Sequence, residues 1–281
     1  MEAKTNSIMK IENLLGIIMN VTPVYDEPAL MIEVDRERVL VVSDLHLGLE
    51  GELIKEGISL PSQMPKLKQR LIELIERQRP DRLILLGDVK HNVPVTTWQE
   101  WRELPEFFSS LTKLTRVEVA RGNHDGDLEG MVPSDVVIHG AGGLVIGKRS
   151  KVGLMHGHTW PSEKLLRTKL LVVAHNHPAV EFKDKLGART VEPAWIKCKL
   201  EPSRFPDELR AAVKGDWPEL LVMPAFSQMV GGAPVNKPIP DELLGPMFRA
   251  GAVRLEEAEV YLLDGTFLGT VGALRKMVEE G

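Results

Sequence analysis

Five apolar stretches of this chain each end in histidine, aspartate or asparagine, and this repeated arrangement limits the possible folds more than any other sequence feature. In the first stretch, residues 39–42 are followed by Ser43, Asp44, Leu45 and His46. A β-branched run of this kind predicts a buried strand, and open α/β sheets bind ligands at the carboxyl ends of such strands. A spacing of two residues directs Asp44 and His46 to the same side of an extended backbone. A carboxylate and an imidazole placed together are a suitable pair of metal ligands.

Four more predicted strands end in the same way. Their terminal segments are Gly87-Asp88 after residues 83–86, Arg121 to Asp125 after residues 117–120, His156 to His158 after residues 152–155, and His175 to His177 after residues 170–174. Seven of the eight histidines lie in these five loops, and His139 is the exception. Two divalent ions about 3.5–4 Å apart need a bridging carboxylate and surrounding imidazole, carboxylate or amide groups. The loops offer such groups at Asp44, His46, Asp88, Asn123, His156, His175 and His177.

The remaining pattern predicts alternating strands and helices. Apolar residues at helical spacing predict a helix over residues 67–79 that stops at Pro80. Thr97 and Glu100 form a capping-box pair at the start of a second helix. We expect the aromatic side chains of that helix to pack in the core: Trp98, Trp101, Phe107 and Phe108. A short helix is expected over residues 162–168, and further strands at residues 29–34, 136–138, 144–146, 180–183, 195–200, 220–223, 259–263 and 267–271. Asp264-Gly265 predicts a hairpin between the last two strands.

Composition excludes several classes of protein. The 281 residues are 43% hydrophobic and 27% charged, as in water-soluble globular proteins. A net charge of −5 argues against a general polyanion-binding surface. Local basic residues form either a nucleic-acid track or an ordinary solvated face: Lys164, Arg167, Lys169, Lys183 and Lys185. The single cysteine, Cys198, excludes an intrachain disulfide and indicates a reducing compartment. The apolar patch at residues 14–19 is too short for a signal peptide or a membrane helix, so we expect a cytoplasmic protein.

The strand-end motifs resemble, in type and order, those of the calcineurin-like metallophosphoesterases. The matching motifs are D-x-H at Asp44 and His46, G-D-x-x-H from Gly87 to His91, G-N-H-D from Gly122 to Asp125, H-G-H from His156 to His158, and H-x-H at His175 and His177. The resemblance extends over residues 39–180 and looks closest to the branch of SbcD-related archaeal and DNA-ligase-associated phosphoesterases.

The resemblance implies an α/β (α+β) fold, a four-layer αββα sandwich in which two mixed β-sheets are flanked by helices. Residues 1–281 would form a single domain, and residues 181–281 would complete it with strands and loops. One divalent ion would be held by Asp44, His46 and His177, and a second by Asn123, His156 and His175, with Asp88 bridging them. His124 would face the substrate and assist the reaction, and Asp125 would orient His124. His91 would contact the substrate, and Arg121 would either contact phosphate or form a surface salt bridge.

The implied activity is hydrolysis of phosphodiester bonds, in nucleic acid or nucleotides, by a water that the two ions activate. Manganese is the ion suggested by the resemblance, and iron, zinc and nickel are compatible with the same ligands. One alternative is a phosphomonoesterase or a small cyclic-nucleotide phosphodiesterase; another is a non-catalytic binding scaffold. Scaffold relatives lose the histidine that corresponds to His124. Residues 223–227, Met-Pro-Ala-Phe-Ser, stand where the small phosphodiesterases have Asn-Pro-Gly-Ser, which separates this chain from those enzymes.

Overall fold

The computed structural model describes residues 9–11, 19–55, 57, 60–238 and 245–280. The apolar patch at residues 14–19 lies outside this part of the chain except for Met19, a buried residue. The chain folds into two β-sheets that pack face to face, with helices on the outer faces, which confirms the predicted class of fold.

The first sheet contains seven strands that lie in the same order in space as in sequence. They are β1 (Met9–Ile11), β2 (Met19–Pro23), β3 (Ala29–Val34), β4 (Glu37–Val42), β5 (Arg82–Leu85), β6 (Arg116–Ala120) and β7 (Val137–His139). Strands β1 to β4 pair antiparallel, whereas β4 to β7 pair parallel. The carboxyl ends of β4, β5 and β6 therefore lie side by side.

The second sheet contains nine strands, and the late part of the chain supplies most of them. They are β8 (Leu144–Ile146), β9 (Val152–Leu154), β10 (Leu170–Val173), β11 (Pro178–Lys183), β12 (Arg189–Lys199), β13 (Glu219–Val222), β14 (Ala233–Pro234), β15 (Glu259–Leu262) and β16 (Phe267–Thr270). Strand β10 is central and runs parallel to both β9 and β13. Strand β12 begins six residues earlier than the sequence pattern predicts, because its first half pairs with β11 in a hairpin.

Seven helices surround the sheets within the described residues. They are α1 (Glu50–Lys55), α2 (Met64–Gln78), α3 (Trp98–Thr112), α4 (Glu163–Leu166), α5 (Asp207–Ala212), α6 (Pro246–Arg249) and α7 (Val271–Glu280). Helix α2 ends where Arg79 turns left-handed and donates its N–H to the carbonyl of Ile75, directly before Pro80. Helix α3 begins with the predicted capping box between Thr97 and Glu100. No helix in the described ranges combines the length and apolarity needed to cross a membrane.

Alternating side chains of the strands divide the core into three apolar clusters. Along β4, Val39 and Val41 point into the cluster between the sheets, whereas Leu40 and Val42 pack under α2 and α3. Strand β10 behaves in the same way: Leu170 and Val172 face the first sheet, and its other residues face the outer cluster beneath α4 and α7. This period of two follows from the pleat of an extended strand. Because the strands are apolar on both faces, each sheet packs on the other sheet with one face and on helices with the other, which gives four layers.

The prediction that the aromatic residues of α3 all pack in the core is only half right. Phe107 and Phe108 are fully buried, but Trp98 and Trp101 are 75% and 47% exposed. Helix geometry explains the difference, because α3 contacts the sheet along one side and the two tryptophans, three residues apart, share another. Cys198 is buried, and burial raises the pKa of its thiol, so it is an ordinary core residue.

Candidate metal centre and active site

The five strand-end loops meet at one edge of the two sheets. Strands β4, β5 and β6 bring their loops together in the first sheet, and β9 and β10 do so in the second. Backbone hydrogen bonds connect the first two loops: the N–H of Asp44 donates to the carbonyl of Gly87 at 3.0 Å, and that of His46 to the carbonyl of Asp88 at 2.9 Å. The positions of these loops are therefore fixed by the sheets and by each other.

A sixth loop, which follows β13, supports the first one. The N–H of Phe226 donates to the carbonyl of Ser43 at 2.9 Å, and the N–H of Ser227 donates to the carbonyl of Asp44 at 3.2 Å. The hydroxyl of Ser43 donates in return to the carbonyl of Pro224. Residues 223–227, which differ from the small phosphodiesterases, thus connect the second sheet to the D-x-H loop of the first.

Five predicted metal ligands have a left-handed backbone conformation. They are Asp44 (φ 54°), His46 (φ 47°), Asp88 (φ 51°), His175 (φ 68°) and His177 (φ 41°). Positive φ is uncommon for residues other than glycine, and such strain persists only where the surrounding structure enforces it. The loops are strained at the residues that carry the polar groups, a pattern typical of functional sites.

One group of side chains contains Asp44, His46 and His177, whose ligand atoms all lie within 4.8 Å of one another. Asp44 is fully buried, and Nε2 of His177 lies 3.2 Å from its Oδ1. The other carboxylate oxygen of Asp44 has no hydrogen-bond partner among the described residues, nor does Nε2 of His46. Buried polar atoms almost always have partners. A cation bound by these three side chains would supply the missing partner.

A second group contains Asp88, His156 and His175, again within 4.8 Å. Nε2 of His156 lies 3.1 Å from Oδ2 of Asp88 and 3.2 Å from Nδ1 of His175. The other ring nitrogen of His156 lies 3.0 Å from the carbonyl oxygen of Leu86, which can only accept a hydrogen bond. Nδ1 of His156 therefore carries a proton, and Nε2 is the ring nitrogen that faces Asp88.

Asp88 lies where the two groups meet. Its Oδ2 is 3.6 Å from Nε2 of His46 in the first group and 3.1 Å from Nε2 of His156 in the second. Its Oδ1 accepts a hydrogen bond of 2.9 Å from the backbone N–H of His124. This is the arrangement expected of a carboxylate that is shared between two sites.

The electrostatics of the two groups favour a bound cation. Burial raises the pKa of Asp88, but the nearby histidines, His156 first, outweigh it and hold this pKa far below its usual range. Burial alone would lower the pKa of His156, yet Asp88 and Asp44 raise it to about 9. Burial lowers the pKa of His46 to about 3 and that of His175 to about 4. The carboxylates of Asp44 and Asp88 are thus ionised and His46 and His175 are neutral, which are the forms that bind metal. Against the effect of burial, the carboxylates raise the pKa of His156 and of His177, so a cation bound there would displace a proton from each ring.

Two glycines allow the loops to approach this closely. A Cβ at Gly122 would lie 2.1 Å from Oδ1 of Asp88, and a Cβ at Gly87 would lie 2.3 Å from Nδ1 of His156. Neither distance is possible for a real side chain. Gly87 also has a φ of 87°, which only glycine adopts without strain. Both glycines of the predicted motifs are therefore required by close packing against predicted metal ligands.

The G-N-H-D loop is held differently from the expectation. The carboxylate of Asp125 accepts hydrogen bonds of 2.8 Å from the backbone N–H groups of Gly122 and Val89, so it fastens the loop rather than the ring of His124. The Nδ1 of His124 instead lies 2.5 Å from the carbonyl oxygen of His91, to which it donates. Asp125 thus binds the backbone of the loop, and the carbonyl of His91 binds the ring of His124.

Both ring nitrogens of His91 have protein partners. Nε2 lies 2.6 Å from the carboxylate of Glu52, and Nδ1 lies 3.1 Å from Nδ1 of His46. A carboxylate accepts, so Nε2 of His91 carries a proton; with His91 neutral, Nδ1 of His46 donates to it. Nε2 of His46 then keeps its lone pair for the cation group. A carboxylate behind a histidine commonly orients metal ligands, and here it would act on His46 through His91. The contact of His91 with substrate stays a prediction.

The remaining predicted residues are distributed as follows. Asn123 lines a cleft of about 300 Å³ together with His46, Asp88, His124, His175 and His177, and it is exposed. The guanidinium of Arg121 pairs with Glu129, so the structure shows the surface salt bridge rather than a free phosphate-binding group. The basic residues also separate: Lys164 and Arg167 line one surface cleft, and Lys183 and Lys185 line another.

Sequence reasoning missed Asn176, which lies between two predicted ligands. Its side chain lines the same 300 Å³ cleft, yet the residue is only 7% exposed. Both its amide oxygen and its amide nitrogen lack a hydrogen-bond partner among the described residues. The H-x-H pattern directs attention to the histidines, because a middle residue in an extended strand would point away. The positive φ values of both histidines break that alternation.

Comparison with known proteins agrees with this geometry. The sequence profile of the family described as calcineurin-like phosphoesterase matches residues 37–202. Among solved structures, the chain is similar to Pseudomonas putida nuclease MPE, with a TM-score of 0.50, 19% sequence identity and coverage of 87% of this chain and 98% of that one. A search of curated proteins found no match.

Two other solved structures share less of the fold. YfcE, a phosphoesterase from E. coli, has a TM-score of 0.33 and 21% identity over 52% of this chain and 73% of its own. Wild-type Vps29 from Entamoeba histolytica, complexed with zinc, has a TM-score of 0.28 and 18% identity over 54% of this chain and 71% of its own. The family profile covers more than half of the 281 residues, including all five strand-end motifs. This chain belongs to the calcineurin-like phosphoesterase family.

Proposed function

We propose that this member of the family is a dinuclear metal-dependent phosphodiesterase that acts on nucleic acid or nucleotides. The observation that carries the proposal is the position of Asp88. Its buried carboxylate lies between two groups of ligand-type atoms, 3.6 Å from Nε2 of His46 and 3.1 Å from Nε2 of His156. One ion would use only one of these two sets of ligand-type atoms, so the presence of both supports two ions.

In this proposal each ion has its own ligands and shares one. Asp44, His46 and His177 would hold the first ion, His156 and His175 would hold the second with Asn123, and Asp88 would contribute to both. The unpartnered buried Oδ2 of Asp44 and Nε2 of His46 support this assignment. Manganese is our choice of ion, with iron, zinc or nickel suited to the same mixture of imidazole and carboxylate groups. When bound, such ions lower the pKa of water and polarise phosphoryl oxygens.

The contribution of the protein is to bind, orient and protonate. His124 donates Nδ1–H to the carbonyl of His91, so its Nε2 remains directed into the cleft, 4.0 Å from Oδ2 of Asp88. From there a protonated ring can donate to a phosphoryl oxygen or to the leaving oxygen. Proton donation of this kind contributes about 10²–10⁴-fold to a reaction rate. Asp125 supports this role indirectly, since it holds the loop through Gly122 and Val89.

Two further proposals concern the whole protein. We propose that residues 1–281 act as one domain, because strands from the last hundred residues pair within the second sheet and the loop after β13 supports Asp44. The single, buried cysteine supports a reducing, cytoplasmic location. Kinship with the SbcD-related branch stays a prediction.

The test compares three substrates with protein that has been stripped of metal and reloaded with manganese. They are bis-p-nitrophenyl phosphate, p-nitrophenyl phosphate and labelled single-stranded DNA, each with wild-type protein and with His124→Ala. We expect hydrolysis of the diester and the DNA, reduced about 10²-fold or more in the variant. Metal analysis of both proteins should give two ions per chain.

Other outcomes would redirect the assignment. Hydrolysis of the monoester alone would indicate a phosphomonoesterase, and hydrolysis of bis-p-nitrophenyl phosphate without DNA would favour a small cyclic-nucleotide phosphodiesterase. Tight metal binding with no hydrolysis of any of the three would support a binding scaffold.

A further inference from the structure

A second cleft adjoins the metal centre on the far side of His177. Its volume is about 490 Å³, which is within the range of small-molecule sites. His177, Gly231 and Gly232 line both this cleft and the 300 Å³ cleft of the metal centre. The two clefts are therefore neighbours that share a wall, and a ligand that reaches the metals can extend into the second one.

The walls of the second cleft combine apolar surface with hydrogen-bonding groups. Pro28, Val191 and Pro193 supply apolar surface, and Asp26 and Gln228 supply a carboxylate and an amide. Asp26 and Gln228 are exposed at the surface of the protein. Apolar walls with a few polar groups are typical of sites for a flat, uncharged ring that carries its own N–H groups.

The one arginine of this cleft is already engaged. Arg70 donates from Nε to Glu27 at 2.9 Å, and a second guanidinium nitrogen lies 2.7 Å from the same carboxylate oxygen. A third donates to the carbonyl of Phe226 at 3.0 Å, and the guanidinium carbon lies 4.5 Å from the centre of the Phe226 ring. Glu27, which also lies 3.4 Å from Arg77, and the carbonyl of Phe226 thus hold the guanidinium plane of Arg70 in place. A fixed guanidinium plane is a surface on which a nucleobase stacks.

We propose that the second cleft binds the nucleoside on one side of the scissile phosphate. This inference rests on the proposed phosphodiesterase function and adds the class of group that the substrate carries. The base lies between the apolar walls and the plane of Arg70, where Asp26 accepts a hydrogen bond from a ring N–H and the amide of Gln228 is available to the ring carbonyls. A further phosphate would suit this cleft less well than a base, because Asp26 is acidic and the guanidinium of Arg70 already contacts Glu27.

The test uses two diesters with the same leaving group. Methyl p-nitrophenyl phosphate reaches only the metal centre, whereas the p-nitrophenyl phosphodiester of thymidine also fills the second cleft. We expect kcat/KM to be about tenfold or more higher for the thymidine ester, the gain typical of one stacked base. Val191→Trp, which fills the cleft, should remove most of that ratio. Thr190→Trp is the matched control, since neighbouring residues of a strand face opposite sides and Thr190 does not line the cleft.

Binding of free thymidine to the metal-free protein gives a readout that does not depend on turnover. Saturation-transfer NMR should detect thymidine with the wild-type protein and with Thr190→Trp, and a much weaker signal with Val191→Trp. Gln228→Ala is a second variant that should reduce the same signal. It changes a residue of an exposed loop, so strand β12 keeps its wild-type sequence.

The outcomes separate the two proposals. If the protein hydrolyses neither of the two diesters, the proposed phosphodiesterase function is overturned. Hydrolysis of both diesters at equal kcat/KM, or thymidine binding that Val191→Trp and Gln228→Ala leave unchanged, would overturn the nucleoside site alone.

Discussion

The hydrogen-bond partners of three histidines determine which ring nitrogen faces the site. Nδ1 of His156 donates to the carbonyl of Leu86, and Nδ1 of His124 donates to the carbonyl of His91. Nδ1 of His46 faces the ring of His91, which Glu52 holds from its other side. In all three residues Nε2 is the ring nitrogen that remains available to a cation or to the substrate. The protein thus sets the protonation pattern of the site through groups that need not touch a ligand.

His91→Phe is expected to weaken metal binding about 10–100-fold, because His46 loses the partner that orients its ring. Glu52→Ala should act in the same direction, although Glu52 contacts His91 and not the predicted ligands. Metal affinity measured by competition with a chelator checks both variants. An increase in KM with unchanged metal affinity would instead support a direct contact of His91 with substrate.

Asn176→Ala is expected to lower kcat/KM for bis-p-nitrophenyl phosphate about 10²-fold, because its unpartnered amide is available to a phosphoryl oxygen in the cleft. Asn176→Asp should lower it further, since a carboxylate repels phosphate. Metal content should stay at the wild-type level in both variants. Wild-type kinetics in Asn176→Ala would contradict a role in substrate binding.

At this scale the sequence predicts which residues meet but not how they contact one another. Asp44, His46, Asp88, His156, His175 and His177 were predictable, because each follows an apolar run. The link from Glu52 to His91 was not, since the two residues are separated by 39 positions and belong to no common periodic pattern. The bonding of Asp125 depends on the path of its loop, which local sequence does not determine.

At the scale of elements, the strand-end loops come close together because glycines without a Cβ lie against the predicted ligand side chains. Gly122 packs on Asp88 and Gly87 packs on His156, closer than any Cβ permits. The strands that carry these loops were predicted closely from their apolar runs. Helices α1, α5 and α6 were not predicted, because they have too few turns to show a periodic pattern. Helix α7 was also missed, and it begins at Val271, which the sequence pattern placed at the end of a strand.

Gly122→Ala should displace the carboxylate of Asp88, since the new Cβ would overlap its Oδ1. We expect a loss of metal affinity and of at least about 10²-fold in kcat/KM. Gly126→Ala is the matched control in the same loop, because a Cβ there meets no atom within 4 Å. Chelator competition and circular dichroism on both variants distinguish a local change at the site from general unfolding. Equal metal affinity in the two variants would contradict the steric argument.

At the scale of the whole molecule, a buried carboxylate joins three parallel strands of the first sheet. Glu118 of β6 is 2% exposed in its side chain and binds Arg82 of β5 at 3.2 Å and His139 of β7 at 2.7 Å. Burial raises the pKa of Glu118, but His139 and Arg82 outweigh it and lower this pKa from 4.5 to about 2. The histidine outside the strand-end loops therefore has a structural task.

Glu118→Gln is expected to reduce the free energy of unfolding of the metal-free protein by about 2–3 kcal/mol near neutral pH. The folded pKa lies below the ordinary value, so the stabilisation is present above pH 4.5 and is lost as the pH falls toward 2. Urea unfolding at several pH values checks this dependence. Glu106→Gln, which removes an exposed ion pair with Lys68, serves as control and should show no comparable loss. A difference between wild type and Glu118→Gln that does not vary with pH would contradict the assignment.

The hydrogen bonds between residues 224–227 and the Asp44 loop also affect how the protein reaches its active form. Ser43 and Pro224 are 181 positions apart in the chain. Contacts of such long range form slowly, because a large loop must close before they contribute stability. During synthesis, the first ligand loop emerges long before the segment that supports it. We therefore expect the candidate metal ligands to come together only late in folding, when most of the sheets already exist.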